Sequence, residues 1–168
     1  KRTDTNDTET ARELLRQAIE LDDTLIAAKV LLGWTYSEMG DYDEAMEIYT
    51  PALEQAEKLY DKVWMGHTLN NIGIVYMRKG EYEKALEYYD KSLKIQEEIG
   101  DKYGVTNALH NIGVVHSDQG EYGRALEYYD RSLAIDEELG NKHGNANTLN
   151  SIGIVYFYKG NYDKALEY

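Results

Sequence analysis

A glycine recurs every 40 residues along this 168-residue chain, at positions 33, 73, 113 and 153. Three further series keep the same step; they are Gly40, Gly80, Gly120 and Gly160, then Tyr42, Tyr82, Tyr122 and Tyr162, and Ala45, Ala85, Ala125 and Ala165. A fixed period of this size is typical of a solenoid, in which each unit buries one face against the next. The sequence therefore predicts an extended recognition surface rather than a catalytic pocket.

Each period reads as two helices joined by a tight turn. The first apolar stripe has helical spacing and consists of Leu69, Ile72, Gly73 and Tyr76. Gly80 supplies a left-handed residue that ends this helix, and Glu81 brings an acidic side chain to the start of the next. The second stripe consists of Tyr82, Ala85, Leu86, Tyr89 and Leu93. We expect Gly100 to end the second helix and Asp101 to cap the one that follows.

The small residues on these stripes indicate close helix contact. Gly73 and Ala85 both lie on apolar faces, where a larger side chain would hold the two helices apart. A glycine inside a helix costs about 1 kcal/mol relative to alanine. Its return at matched positions predicts that the helices of each pair touch there.

These residues resemble the tetratricopeptide repeat, whose pattern is W-x2-L-G-x2-Y followed by A-x3-F. The chain has Leu69-x2-Ile72-Gly73-x2-Tyr76 and then Ala85-x3-Tyr89. Lys29 and His116 are the departures from the family pattern that do not keep a large, mostly apolar side chain. The resemblance implies an all-α fold, a right-handed α-solenoid of antiparallel helix pairs, here termed helix A and helix B. The 40-residue form is similar to repeats of spindle-orientation scaffolds, of kinesin light chain and of bacterial sensor kinases and cyclases.

The register divides the chain into a single array. We expect a polar leader at 1–7, a lone helix B at 8–22, repeats at 24–58, 62–98 and 102–138, and a partial repeat at 142–168. The first step is 34 residues, from Ala11 to Ala45, and the later steps are 40. Because the chain opens without methionine and stops inside a repeat, we expect a fragment of a longer protein. Pro51 predicts a kink in its helix, and Gly123 a weakened helix start.

Helix A carries a second face opposite its core face. Leu109, Ile112, Gly113 and His116 form the core side of one copy, and Asn107, Asn111, Val114 and Asp118 the other side. The resemblance implies that this other side lines the concave groove in which peptide ligands lie. By that match Asn71 and Asn111 are the leading candidates for holding peptide main chain; Asn70 and Asn150 come next, and Asn107, Asn147 and His110 lie in the same rows. An amide side chain offers donors and an acceptor, which suits a peptide backbone. The alternative is hydrogen bonding to neighbouring helices or water.

An apolar row runs beside the asparagines. Its members are Trp34, Ile74, Val114 and Ile154, and Met77, Phe157 and Tyr158 extend the apolar surface. Exposed apolar strips often mark binding sites. The alternative is that the row seals neighbouring A helices against each other. Arg78 is a candidate for a carboxylate of the partner.

Other functional classes find little support. The net charge of −13 disfavours nucleic acid and anionic membranes as partners. Cysteine is absent, which fits a cytoplasmic protein, and the histidines lack metal-binding spacing, so we expect no metal, no cofactor and no catalytic residue. The carboxylate clamp of heat-shock co-chaperones needs Lys where Asn70, His110 and Asn150 stand, so tight binding of an acidic heat-shock C-terminus is not expected.

The sequence thus predicts a noncatalytic scaffold that binds a protein or an extended peptide. The alternative is a module for self-assembly, in which exposed solenoid ends stack end to end. Such a module would also suit the sensory or interaction part of a signalling enzyme.

Overall fold

The computed structural model describes the backbone of residues 2–168 and the side chains from residue 7 onward. Over this range the chain forms helices joined by short turns and no strand. The helices are α1 Arg2–Leu21, α2 Ile26–Met39, α3 Tyr42–Lys58, α4 Lys62–Arg78, α5 Tyr82–Ile99, α6 Lys102–Asp118, α7 Tyr122–Leu139, α8 Lys142–Tyr158 and α9 Tyr162–Glu167. The predicted all-α solenoid of helix pairs is confirmed.

The even-numbered helices from α2 to α8 are the A helices, and each is followed by its B helix. Neighbouring A helices contact one another, since α2 packs on α4, α4 on α6 and α6 on α8. Among the described residues, no Cα atoms of the B helices α3, α5 and α7 approach within 8 Å of one another, and Arg131 on α7 reaches Glu97 on α5 only through its long side chain, at 4.0 Å. The A helices therefore lie closer together and occupy the inner side of a curved array, while the B helices form its outer side.

The amino-terminal helix is longer than the sequence indicates. Helix α1 begins at Arg2, so the leader expected at 1–7 continues the helix expected at 8–22. No glycine or proline interrupts these residues. Arg12, only 8% exposed, fixes α1 to α2. Its Nη2 donates to the Thr35 carbonyl at 2.9 Å, and its guanidinium lies 4.0 Å from the centre of the Tyr36 ring.

The glycines predicted to end helices are confirmed, whereas only one of the two predicted N-terminal caps forms a capping hydrogen bond. Gly80 and Gly100 have φ of 75° and 70°, as expected for helix-ending residues. The Asp101 carboxylate accepts a hydrogen bond from the Gly104 N–H at 3.1 Å. Glu81 makes no such bond to its helix and instead accepts from Lys84 Nζ at 2.6 Å. The additional methylene of glutamate carries its carboxylate away from the first-turn N–H groups, which favour shorter side chains.

The repeated glycine of helix A lies against the tyrosine of helix B. A Cβ at Gly73 would lie 2.6 Å from Tyr89 Cε1, and the same distance recurs between Gly33 and Tyr49 and between Gly113 and Tyr129. Tyr89 is fully buried. The predicted close contact within each pair is therefore confirmed, and the tyrosine ring fills the space that each glycine leaves.

The two residues expected to disturb helices lie within continuous helical segments. Pro51 is exposed inside α3, which extends from Tyr42 to Lys58. Gly123 is in the first turn of α7, and nothing lies within 4 Å of a Cβ placed there. The kink at Pro51 and the weakened start at Gly123 stay predictions.

Buried polar side chains stabilise the junctions between repeats, a feature not foreseen from the sequence. Ser92 Oγ donates to the Gly66 carbonyl at 2.8 Å, and Ser132 Oγ to the Thr106 carbonyl at 3.1 Å. Gln96, 1% exposed, packs against Gly66 at the same junction, although its Oε1 has no hydrogen-bond partner among the described residues. These residues lie on the buried face of helix B at the same helical spacing as its apolar residues. Periodicity alone therefore does not indicate that polar side chains are buried there.

Candidate protein-binding face

The inner surface of the array repeats one stripe of positions on each A helix. We call these sixteen positions the inner stripe; they are Ala27, Leu31, Trp34 and Glu38 on α2, His67, Asn71, Ile74 and Arg78 on α4, Asn107, Asn111, Val114 and Asp118 on α6, and Asn147, Ser151, Ile154 and Tyr158 on α8. The stripe is apolar at its start, rich in amides in the middle and mixed at its end. The rigid helix pairs behind it hold these side chains in register.

Two of the candidate asparagines are bonded to each other. Asn111 Nδ2 donates to Asn70 Oδ1 at 3.0 Å, which joins helix α6 to helix α4. Both residues are half-buried. Asn111 therefore keeps its own amide oxygen and a second N–H for another molecule. This pair therefore forms a hydrogen bond between neighbouring helices.

Asn71 lies beside this pair and is also half-buried. Within the described part of the chain, no protein group forms a hydrogen bond with its side chain. Its amide group is therefore the most available of the central asparagines.

His110 packs into the junction between α6 and α8. Its Nδ1 lies 3.3 Å from Thr148 Oγ1, and its ring centre lies 5.4 Å from that of Tyr129. Burial lowers the pKa of His110, with the Asp136 carboxyl acting in the opposite direction. His110 is therefore packed between helices, a contact that its register position does not indicate, and its role in peptide binding stays a prediction.

The remaining amide candidates are exposed. Asn107, Asn147 and Asn150 all lie in solvent at the surface of α6 and α8. Asn147 Nδ2 lies 3.4 Å from His143 Nε2 on the same helix. Asn150 lines a shallow cavity of about 420 Å³ with Ile154 and Phe157. These three side chains are therefore accessible but less ordered by neighbours than Asn70 and Asn111.

The apolar row divides into two kinds of position. Ile74 and Val114 are half-buried and pack against cores that include the following repeat. Trp34 and Ile154 are 46% and 45% exposed. The middle of the row thus seals neighbouring helices, while its two ends offer apolar surface.

Arg78 is already engaged within the protein. Its Nη1 donates to the Ser37 carbonyl at 2.9 Å, and its Nη2 lies 2.6 Å from Glu38 Oε1 on α2. This arginine therefore forms an ion pair with Glu38 of the preceding repeat, and its contact with a carboxylate of a partner stays a prediction.

Asp118 holds the matching position one repeat later and is not among the binding candidates that the sequence predicts. It is exposed and forms no ion pair with any described side chain. Partial burial raises the pKa of its carboxyl. Tyr158, the next member of the same row, is 65% exposed.

The described residues also bear on other kinds of site. No three histidine or carboxylate side chains among them are grouped closely enough to hold a metal ion. Within that part of the chain, no helix combines the length and apolar character that a membrane span needs.

Comparison with known proteins decides the family. The family model described as tetratricopeptide repeat matches residues 24–98, 64–138 and 104–168. The chain belongs to the tetratricopeptide repeat family. These overlapping matches each take in two successive helix pairs, with the glycine, alanine and tyrosine positions given above. No curated protein matches the sequence.

Solved structures share the tetratricopeptide fold at low sequence identity. BtubC (BKLC) from P. vanneervenii is 24% identical with a TM-score of 0.77, over 95% of this chain and 67% of that one. MamA is 22% identical with a TM-score of 0.64, over 98% and 86%. A Rap protein complexed with competence and sporulation factor is 21% identical with a TM-score of 0.86, over 98% of this chain and 48% of that one. At these identities the likeness concerns the fold.

Proposed function

We propose that this tetratricopeptide array is a noncatalytic scaffold that holds an extended segment of a partner protein along its inner stripe. The observation that carries the proposal is the bond between Asn70 and Asn111, because it fixes amide groups on neighbouring A helices. The unpaired amide of Asn71 lies beside them. The Rap protein crystallised with competence and sporulation factor supports the idea that such a fold can hold a separate molecule.

The spacing of the A helices suits an extended backbone. Packed helices lie about 8–10 Å apart. A polyproline II segment advances about 3.1 Å per residue with three residues per turn, so every third residue repeats after about 9 Å. Asn71 and Asn111 would therefore meet equivalent backbone groups three residues apart. In this arrangement Trp34 and Ile154 take apolar side chains of the partner, and Ile74 and Val114 form a wall rather than deep pockets.

A binding experiment tests the assignment. Peptides selected from a random 12-residue display library on the folded chain supply a ligand, whose dissociation constant is then measured by fluorescence anisotropy. The double variant Asn71→Ala with Asn111→Ala should weaken binding at least tenfold, since each lost amide contact is worth roughly 1 kcal/mol. The matched control is Glu54→Gln with Glu127→Gln on the outer side, where both carboxylates are exposed. Unchanged affinity in a folded double variant would contradict the site.

Self-assembly is the second candidate function. Apolar side chains are exposed at both ends of the described array, with Leu14 and Leu31 61% and 50% exposed at one end and Phe157 and Leu166 56% and 88% at the other. Stacking of these surfaces would bury apolar area. Light scattering over a range of concentrations tests this, since a constant monomer mass up to millimolar protein rules it out.

We further propose a cytoplasmic location and a role as the interaction part of a larger signalling protein. The absence of cysteine and the net charge of −13 fit that setting. Expression of the full-length protein with a fluorescent tag tests the location directly, and an extracellular signal would contradict it.

A further inference from the structure

One register position of the inner stripe forms a row across the four A helices. Its members are Glu38, Arg78, Asp118 and Tyr158, related by steps of 40 residues. The first two members, Glu38 and Arg78, form an ion pair with 2.6 Å between Oε1 and Nη2. Long side chains at this position on neighbouring A helices can therefore reach each other.

The next members of the row leave a carboxylate without a counter-charge. Arg78 is directed to α2 through Ser37 and Glu38, away from α6. Asp118 forms no ion pair with the described side chains, and the residue that follows it in the row is a tyrosine. Contact with the protein removes part of the water around this carboxylate, which raises the free energy of its charged form. A cation bound beside it offsets that cost.

The ring of Tyr158 packs against the first residue of α7, which follows Asp118 by four residues. It stacks parallel to Tyr122, with centres 6.4 Å apart and an angle of 3° between the planes. Phe157 meets it edge-on at 5.8 Å. Tyr158 contacts Tyr122 of the preceding repeat and is still 65% exposed. An ordered, exposed aromatic face is a surface on which a guanidinium or a lysine stem can pack.

We propose that Asp118 and Tyr158 form a subsite for a lysine or arginine side chain of the peptide on the inner stripe. The carboxylate pairs with the cationic head, and the tyrosine ring packs against the stem or the guanidinium plane. This subsite rests on the proposed function, since it needs a peptide in the groove. It specifies the ligand as a segment with a basic residue near the end that contacts α8, within a chain whose net charge of −13 favours such a partner.

The subsite is tested with peptides selected from the same 12-residue library. Selected sequences should be enriched in Lys or Arg, and Asp118→Asn should weaken the best of them about tenfold, the loss expected for one charged hydrogen bond. Asp130→Asn makes the same charge change at an exposed outer carboxylate and should leave affinity unchanged. Tyr158→Ala should weaken binding several-fold, and Tyr158→Phe should not.

A double-mutant cycle isolates the contact. Replacing the basic residue of the peptide with norleucine should weaken binding to the parent protein but have little further effect on Asp118→Asn. Equal losses in both proteins, or selected peptides without basic residues, would overturn the subsite. If such peptides still depend on Asn71 and Asn111, the proposed function stands without it. If the library yields no binder, the proposed function fails and the subsite fails with it.

Discussion

The ring of Tyr89 packs directly against Gly73, so closely that a Cβ on this glycine would lie 2.6 Å from Tyr89 Cε1. Tyr89 is fully buried and cannot move aside without disturbing its core. Gly73→Ala should therefore destabilise the protein by about 1–3 kcal/mol through overpacking, despite the better helix propensity of alanine. Chemical denaturation measures this. The matched control is Gly123→Ala, where no atom lies within 4 Å, and a gain of up to about 1 kcal/mol is expected. Equal effects of the two changes would contradict the packing argument.

A second stability prediction concerns Tyr60, the only non-glycine residue with positive φ among those described, at 55°. Gly100 and Gly140 hold the matching turns with φ of 70° and 65°. The side chain of Tyr60 is 87% exposed, so it contributes little packing. Tyr60→Gly should raise the unfolding free energy by about 1 kcal/mol, because a left-handed conformation costs L-residues roughly that much. Thermal unfolding provides the measurement, and a lower melting temperature would refute the idea that the turn is strained.

The caps of the helices give a third comparison. Asp101→Ala removes the bond to Gly104 and should cost about 1 kcal/mol. Glu81→Ala removes a residue at the same position that makes no capping bond, and should have little effect. An equal loss of unfolding free energy in Glu81→Ala and Asp101→Ala would contradict a specific contribution of the Asp101 capping bond.

The fourth prediction is a dependence of stability on pH through His110. Burial lowers its pKa in the folded state, so the unfolded chain binds the proton more readily. The contribution of neutral His110 is therefore present above the unfolded value of about 6.5 and is lost as the pH falls below it. Denaturation curves at pH 7.5 and 5.5 should show a smaller loss of stability for His110→Asn than for the parent protein. The same loss in both would contradict this role.

Much of the architecture was predictable because the repeat constrains each position several times over. Gly73 and Tyr76 set the helical period, and Gly80 marks the turn, so the helices and their pairing follow from local rules. The positions of the inner stripe follow from the same period, since they lie on the side of helix A opposite Leu69 and Ile72.

The contacts that the repeat register does not indicate involve side chains that reach beyond their own repeat. Arg78 occupies a surface position, but its length lets it bond Ser37 and Glu38 one repeat away. His110 shares a row with asparagines and yet packs against Tyr129. The lack of an ion pair at Asp118 among the described side chains is likewise a property of the structure, since a sequence does not show ion pairs.

The central claim is that a partner segment lies along the inner stripe, and its position on the protein can be measured directly. A selected peptide carrying a nitroxide spin label at its centre is added to isotope-labelled protein, and paramagnetic broadening is recorded by NMR. The side-chain amide signals of Asn71 and Asn111 should broaden most strongly, with little effect on the signals of Glu54 and Glu127. Broadening centred on the outer helices α3, α5 and α7, with the two asparagine signals unaffected, would contradict it.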